Sequence, residues 1–254
     1  MNAGAVELRG VRKSYAVGAR RLDVLRDVDL DAQPGEFLSV VGASGCGKST
    51  LLRLVSGLES ADGGHVLVDR APVEGPGLDR GIVFQDHRLL PWLRVEENVA
   101  LALHANPLDA AARRTRVRDY LRLVGLEGFE KALPEQLSGG MAQRAAIARA
   151  LVNSPRVLLL DEPFAALDAI TKSYLHDELL KIWAVERTTV LLVTHDIEEA
   201  VYLSDRVVVM GRNPGHVHEI VSIDLPRPRR RDDLRLYQLK AQILARFAPG
   251  GADS

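Results

Sequence analysis

The sequence has a single cysteine, Cys46, in 254 residues. One thiol can make neither an intrachain disulfide nor a cysteine-based zinc cluster, and the chain fits a reducing compartment. Excess charge of one sign is also missing: 33 Lys and Arg face 34 Asp and Glu, a net charge of −1. That balance gives no support to a nucleic-acid polyanion as the main partner. Long apolar runs are absent. The densest, Val157–Leu160 and Val190–Val193, are strand-sized, far below the roughly 18–20 residues of a membrane-spanning helix. Met1–Arg9 brings in charge before an apolar leader core could form. The expectation is a cytoplasmic chain that reaches a membrane only through a partner.

What is present reads as a globular chain. Hydrophobic residues are 46% and charged residues 26%, which argues against disorder. The length allows one large domain or two small ones. Val6–Tyr15 and Leu22–Leu30 read as short mixed strands, Gln33-Pro34-Gly35 as a turn and Glu36–Val41 as an apolar strand. Gly42–Gly47 is glycine-rich and Lys48–Gly57 reads as a helix. Strands return at His65–Asp69 and Gly81–Gln85. The stretch Glu96–Asn153 is mostly helical, broken at Pro107, Gly125–Gly128 and Pro134. Arg156–Asp161 and Thr188–Thr194 are continuous apolar strands of the kind covered on both faces of a parallel sheet. Helices at Ala169–Glu186 and Asp196–Leu203 separate and follow them. Strand–helix alternation with buried strands indicates an α/β fold, with the central helical block as an inserted subdomain. The run Arg227–Arg231 is broken by Pro228 and followed by Asp232-Asp233, and reads as a solvated tail.

Three motifs carry chemistry. Gly42-Ala43-Ser44-Gly45-Cys46-Gly47-Lys48-Ser49 fits G-x-x-x-x-G-K-[ST] between an apolar strand and a helix. Its glycines let backbone N–H groups curl around phosphate oxygens, and the following helix adds its positive end. Lys48 supplies a point charge to the β- and γ-phosphates, and the Ser49 hydroxyl is the expected Mg²⁺ ligand. Cys46 reads as a small filler in the loop. The strand Val157–Leu160 delivers Asp161 and Glu162 to its C-terminal end, the edge where α/β sheets bind ligands. Asp161 can hold Mg²⁺ and Glu162 can orient or deprotonate an attacking water. Leu137-Ser138-Gly139-Gly140-Met141 precedes the alanine-rich helix Ala142–Leu151. Alone it is an ordinary helix cap; beside the phosphate loop it is a second anion site. Two phosphate sites with one Mg²⁺ site are what a nucleotide shared between subunits needs.

In this order and spacing the motifs resemble those of the nucleotide-binding subunits of ATP-binding cassette (ABC) transporters, over nearly the whole chain. Gly42–Ser49 corresponds to the Walker A loop, Gln85 to the Q-loop and Leu137–Met141 to the signature. The strand ending Asp161-Glu162 corresponds to Walker B, Asp168 to the D-loop, and His195 in Val193-Thr194-His195-Asp196 to the H-loop. The resemblance implies a P-loop NTPase with a parallel-sheet core, an N-terminal antiparallel β subdomain and an inserted helical subdomain. It implies an ABC ATPase domain over 4–226, its helical part at about 87–153, and a basic, helical C-terminal tail over 227–254. Tyr15 takes the place of the adenine-stacking aromatic, and Ala43, Ser44, Gly45, Cys46, Gly47 and Thr50 join the nucleotide contacts. Gln85 touches Mg²⁺ and the attacking water, and His195 contacts the γ-phosphate. Ser138, Gly139 and Gly140 face the nucleotide of a second subunit, and Asp168 couples the two sites. Met141 stands where Gln is commonest, and Ala165 where Ser or Gly is usual.

The implied cofactors are ATP and Mg²⁺. The implied partners are a second copy in a homodimer, an integral membrane permease and, indirectly, an extracytoplasmic binding protein, with no nucleic acid. The implied place is the cytoplasmic face of the inner membrane. Little chain follows His195, leaving no room for the regulatory domain usual in the family's sugar importers. One cassette disfavours the translation-factor and DNA-repair branches. Gly81–Trp92, Asp161-Glu162-Pro163-Phe164 and Asp224-Leu225-Pro226-Arg227-Pro228-Arg229 resemble the nitrate/sulfonate/taurine import group. The last resembles the aliphatic-sulfonate members most, whereas Glu74-Gly75-Pro76-Gly77 is more like the taurine members. The alternatives are nitrate or taurine import, or a soluble ABC-type ATPase that remodels a macromolecular complex. His87–Asn98, with Leu89, Leu90, Pro91, Trp92 and Leu93, is the candidate permease-docking segment; the competing expectation packs it inside the helical subdomain.

Overall fold

The structure, a computed structural model, describes residues 3–18 and 20–247. Met1 and Asn2 of the N-terminal stretch and residues 248–254 of the expected tail lie outside the described residues. The strands are β1 (Val6–Val17), β2 (Arg20–Ala32), β3 (Phe37–Gly42), β4 (Gly63–Val68), β5 (Ala71–Pro72), β6 (Arg80–Val83), β7 (Val157–Asp161), β8 (Thr189–Thr194), β9 (Arg206–Gly211) and β10 (His216–Ser222). The helices are α1 (Lys48–Ser56), α2 (Val95–Ala100), α3 (Ala110–Leu123), α4 (Gly139–Leu151), α5 (Ala169–Glu186), α6 (Ile197–Leu203) and α7 (Leu234–Ala245). The chain divides into two compact units.

The first unit is Gly4–Gly77 together with Thr189 onward. Its antiparallel sheet runs in the order β2-β1-β4-β5, as the family resemblance implies. In its other strands β3 lies between β8 and β9, parallel to both, and β10 closes antiparallel on β9. Every residue of β3 and β8 is buried, which is why both read as unbroken apolar runs. The register pairs Val41 with Thr194 and Gly42 with Met210. The next residues along, Ala43 and His195, therefore leave the strands at the same C-terminal edge. The sequence reading assigned nothing to β9 or β10.

The second unit is Leu78–Thr188 with Ala3, and the expected helical insertion falls inside it. β6 and β7 are parallel with Val83 opposite Leu160. Phe84-Gln85 and Asp161-Glu162 thus emerge side by side. Ala142, Ala145, Ala146 and Ala148 are buried on α4, small residues that let neighbours approach closely.

The solvated-tail expectation is corrected. Arg229 is only 6% exposed, and Arg227 pairs with Asp205. The charge run hid a buried guanidinium because composition does not reveal which carbonyls a fold leaves to be capped.

Asp62 ties the antiparallel sheet together through β1 and β2. Its carboxylate accepts from the Ser14 hydroxyl at 2.6 Å, the Ser14 N–H at 2.9 Å and Arg21 at 3.1 Å, and Lys13 lies 3.6 Å away. These donors, the Ser14 hydroxyl first, hold its pKa down at about 2. A folded pKa below the unfolded value of about 3.9 gives stability that is present above that value and lost as pH falls through about 2. The Tm difference between wild type and Asp62→Asn should therefore hold steady above pH ~5, shrink through pH ~2 and approach zero only near pH ~1. A difference as large at pH ~2 as at neutral pH would mean the carboxylate charge is not what the sheet uses.

Candidate nucleotide site

In the first unit, β3 ends at Gly42 and α1 begins at Lys48. The turn between them requires Gly47, the N-cap of α1, at φ +96°, a conformation open to glycine and costly for other residues. No side chain caps the start of α1, and the positive end of a helix suits an anion. Lys48 is 6% exposed. Its Nζ donates to the carbonyls of Gly42 at 2.8 Å and Ala43 at 3.2 Å. Ser44 and Gly45 are exposed, while Ala43, Ser49 and Thr50 are half-buried. Cys46 is buried, and burial pushes its thiol pKa up. It fills space, as expected, and is poorly suited to act as a thiolate.

Tyr15 belongs to the same unit. Its hydroxyl donates to Glu59 and also meets Thr50, two residues beyond Lys48; burial, then Glu59, raises its pKa. Lys13 Nζ lies 5.3 Å from its ring centroid. His195 is exposed and lies between β8 and α6. Asp196 caps α6, accepting from the N–H groups of Glu198 and Glu199, and donates its own N–H to Thr194 Oγ1 at 3.0 Å.

In the second unit, Asp161 ends β7 and is half-buried, as is Glu162. Glu162 sits at φ +46°. A non-glycine residue held there carries about 1–3 kcal/mol of backbone strain. Gln85 is exposed just past β6, and the preceding Phe84 carbonyl accepts from Gln143 of α4 at 3.3 Å. Ser138 caps α4, accepting from the Met141 N–H at 3.3 Å. Ser138 and Gly139 are exposed and Gly140 is buried. A Cβ on Gly140 would come 2.8 Å from Thr171 Cγ2, so any larger residue there would have to displace the Thr171 methyl. Asp168 caps α5, accepting from Ile170 N at 3.1 Å and Thr171 N at 3.0 Å. Hydrogen bonds from Thr171, side chain first, lower its pKa.

Each unit thus gathers its own share. Tyr15, the phosphate loop through Thr50, and His195 fall in one unit; Gln85, Ser138–Gly140, Asp161, Glu162 and Asp168 fall in the other. The Ser49 hydroxyl in the one unit, and the Gln85 amide and Asp161 carboxylate in the other, are each an oxygen donor of the kind a hard divalent cation takes.

Sequence reasoning missed the residues that hold these groups. Gly215 backs the phosphate loop, where a Cβ would come 2.0 Å from the Cys46 carbonyl oxygen; its distance along the chain gave no hint. Asn98 bonds Leu90 in both directions and donates to Leu93 and Arg94, fixing the segment after Gln85. A lone amide in the short helix Val95–Ala100 was the available signal. Arg149 donates to the carbonyls of His87 at 2.8 Å and Arg88 at 2.7 Å. In the docking segment Leu89 is buried and Trp92 is 72% exposed, so Leu89 follows the packing expectation and Trp92 does not.

Residues 25–165 match the ABC transporter family. The chain is 44% identical over 246 residues to the aliphatic sulfonates import ATP-binding protein SsuB of Bacillus cereus, covering 97% of both chains. It is 48% identical over 239 residues to the ABC transporter ATP-binding protein MJ0412 of Methanocaldococcus jannaschii, covering 94% of this chain and 90% of that one. Among solved structures, the post-hydrolysis dimer of the ATP-binding cassette MJ0796 bound to ADP and Pi superposes with TM-score 0.76 at 35% identity. It covers 87% of this chain and all of that one. With the motifs in order, the loop closed around Lys48 and near-complete coverage on both sides, the chain belongs to the ABC transporter family of ATP-binding cassettes and is an ATPase of that family.

Proposed function

We propose that the chain is the ATP-hydrolysing subunit of an importer for aliphatic sulfonates. It works as a homodimer on the cytoplasmic face of the inner membrane, under an integral permease that an extracytoplasmic binding protein supplies. The observation that carries the substrate is the likeness to SsuB at 44% identity over 97% of both chains. No helix among the described residues is long and apolar enough to cross a membrane, which leaves the crossing to a partner. We read residues 4–226 as the cassette, 87–153 as its helical part and 227–254 as the tail.

The roles follow the residues. The Gly42–Ser49 loop binds the triphosphate, with Lys48 on the β- and γ-phosphates, Thr50 beside the loop and Tyr15 against the adenine. Ser49, Asp161 and Gln85 are the oxygen donors for Mg²⁺, which when bound neutralises charge on the phosphates. Glu162 takes a proton from the attacking water and His195 contacts the γ-phosphate. Ser138, Gly139 and Gly140 serve the nucleotide of the second copy, and Asp168 links the two sites.

Glu162→Gln keeps shape and loses charge. It should bind ATP as wild type does but hydrolyse it about 10²–10⁴-fold more slowly, the usual worth of general-base help. Lys48→Ala should weaken binding of a fluorescent ATP analogue itself. Near-normal turnover in Glu162→Gln would remove the role.

Shared sites make hydrolysis depend on protein concentration in dilute solution. Mixing Lys48→Ala chains with Ser138→Arg chains confines both lesions of a heterodimer to one composite site. Partial recovery of ATPase in the mixture is expected; full, concentration-independent activity in a verified monomer would contradict sharing.

The exposed Trp92 is our permease contact. Trp92→Ala should lower transport and permease-stimulated hydrolysis while leaving basal ATPase and Tm unchanged; a joint fall in Tm and basal activity would make it a packing residue. Deleting the gene should abolish growth on ethanesulfonate, but not on sulfate, as sole sulfur source. Loss of growth on taurine or nitrate instead would move the substrate.

A further inference from the structure

The run Leu225-Pro226-Arg227-Pro228-Arg229 takes no part in nucleotide chemistry, yet it closes the end of the helix that follows His195. That helix, α6, has seven residues, too few to be stable alone in water. Its first turn is capped by Asp196. Its last carbonyls have no partner within the helix and must find one elsewhere. Arginines of the tail take four in succession. Arg229 Nη1 donates to Val201 at 2.9 Å, Tyr202 at 3.0 Å and Ser204 at 2.7 Å. Arg227 Nη2 donates to Leu203 at 2.5 Å. The rest of the Arg229 fork ties the tail to itself, through Ile223 and Leu225 at 3.2 Å each.

The chemistry suits the place. The negative end of a helix dipole stabilises a cation, and a planar guanidinium engages several acceptors at once where an ammonium cannot. Burial lowers the Arg229 pKa to about 10, so it stays charged at neutral pH. The tail also holds the helix elsewhere. Arg231 lies 3.9 Å from the Tyr202 ring centroid, and Lys240 of α7 pairs with Glu198 of the first turn at 2.6 Å. His195 is exposed and sits between β8, buried throughout, and α6. The strand sets one side of its backbone and the helix sets the other.

We propose that Arg227 and Arg229 are positioning residues for His195: by holding the last turn of α6 they fix the Thr194–Asp196 loop in which that histidine sits. The inference rests on the reading above that His195 serves hydrolysis.

The test is a double-mutant cycle in steady-state ATPase kinetics on the full chain: wild type, His195→Ala, Arg229→Gln and both together. His195→Ala should lose most turnover. Arg229→Gln should lower kcat about tenfold or more, since small misplacements far from the chemistry can cost that much. Its KM for ATP should stay within about twofold, the pattern of a loss confined to the transition state. The double variant should be no slower than His195→Ala alone, because a residue that acts through another falls silent once the other is gone. Arg229→Lys should recover only part of the loss. If Arg229→Gln does not fold, Arg227→Gln at the edge of the cluster carries the same cycle. Wild-type kcat in the folded arginine variants, or losses that multiply in the double variant, would overturn the proposal. Wild-type turnover in His195→Ala would instead overturn the reading of His195 on which it rests, and that arm is read without any arginine change.

Discussion

A buried ammonium organises the phosphate loop. Lys48 is almost out of water, and a charge so placed must be paired or hydrogen-bonded. Its Nζ reaches back to the carbonyls of Gly42 and Ala43, so the loop closes on itself. That closure needs β3 to stop at Gly42, α1 to start at Lys48, and a left-handed Gly47 between them. The loop in turn needs a floor. Gly215 supplies it, held to Val24 and Arg26 by backbone hydrogen bonds of 2.9 and 3.0 Å. Much of the first unit can be understood as the frame that keeps this turn in one shape.

A second theme is the helix start. Ser138, Asp168 and Asp196 each cap a helix with their own side chain. Ser138 has a proposed role at phosphate, Asp196 adjoins His195, which has one, and Asp168 has a proposed role in linking the two sites. A cap of this kind is worth about 1 kcal/mol, but it also fixes where the chain enters the helix. The caps therefore give these short polar loops definite positions without burying them. Glu162 is placed differently, by a strained backbone at the end of a buried strand, where β7 leaves little freedom for relaxation.

The candidate site was legible in unequal parts. The Gly42–Ser49 spacing has one well-defined physical solution, so strand, turn and helix all lie where the pattern put them. The carboxylates Asp161 and Glu162 follow a buried strand for the same reason: four apolar residues in a row have to be covered on both faces. Gln85, His195 and Tyr15 were weak alone and gained meaning only from order and spacing. The alanines of α4 read only as an alanine-rich helix; in the fold Ala142, Ala145, Ala146 and Ala148 are buried, and a Cβ on Gly140 would meet the Thr171 methyl.

What the sequence determined by itself is local: the periodicity of its strands, the glycine turn around phosphate, the caps, and the acidic pair ending β7. Such features depend on residues a few positions apart, and their geometry is fixed by the backbone. The tertiary structure decided what depends on distant residues meeting. It put Gly215 behind Cys46, Asn98 inside the segment after Gln85, and Leu89 inward with Trp92 outward. It also took Arg229 from a run that read as solvated and set it on carbonyls of α6. A charge run shows only that cations are present. Which of them is buried depends on which backbone acceptors the rest of the fold leaves unsatisfied, and only the packed chain settles that.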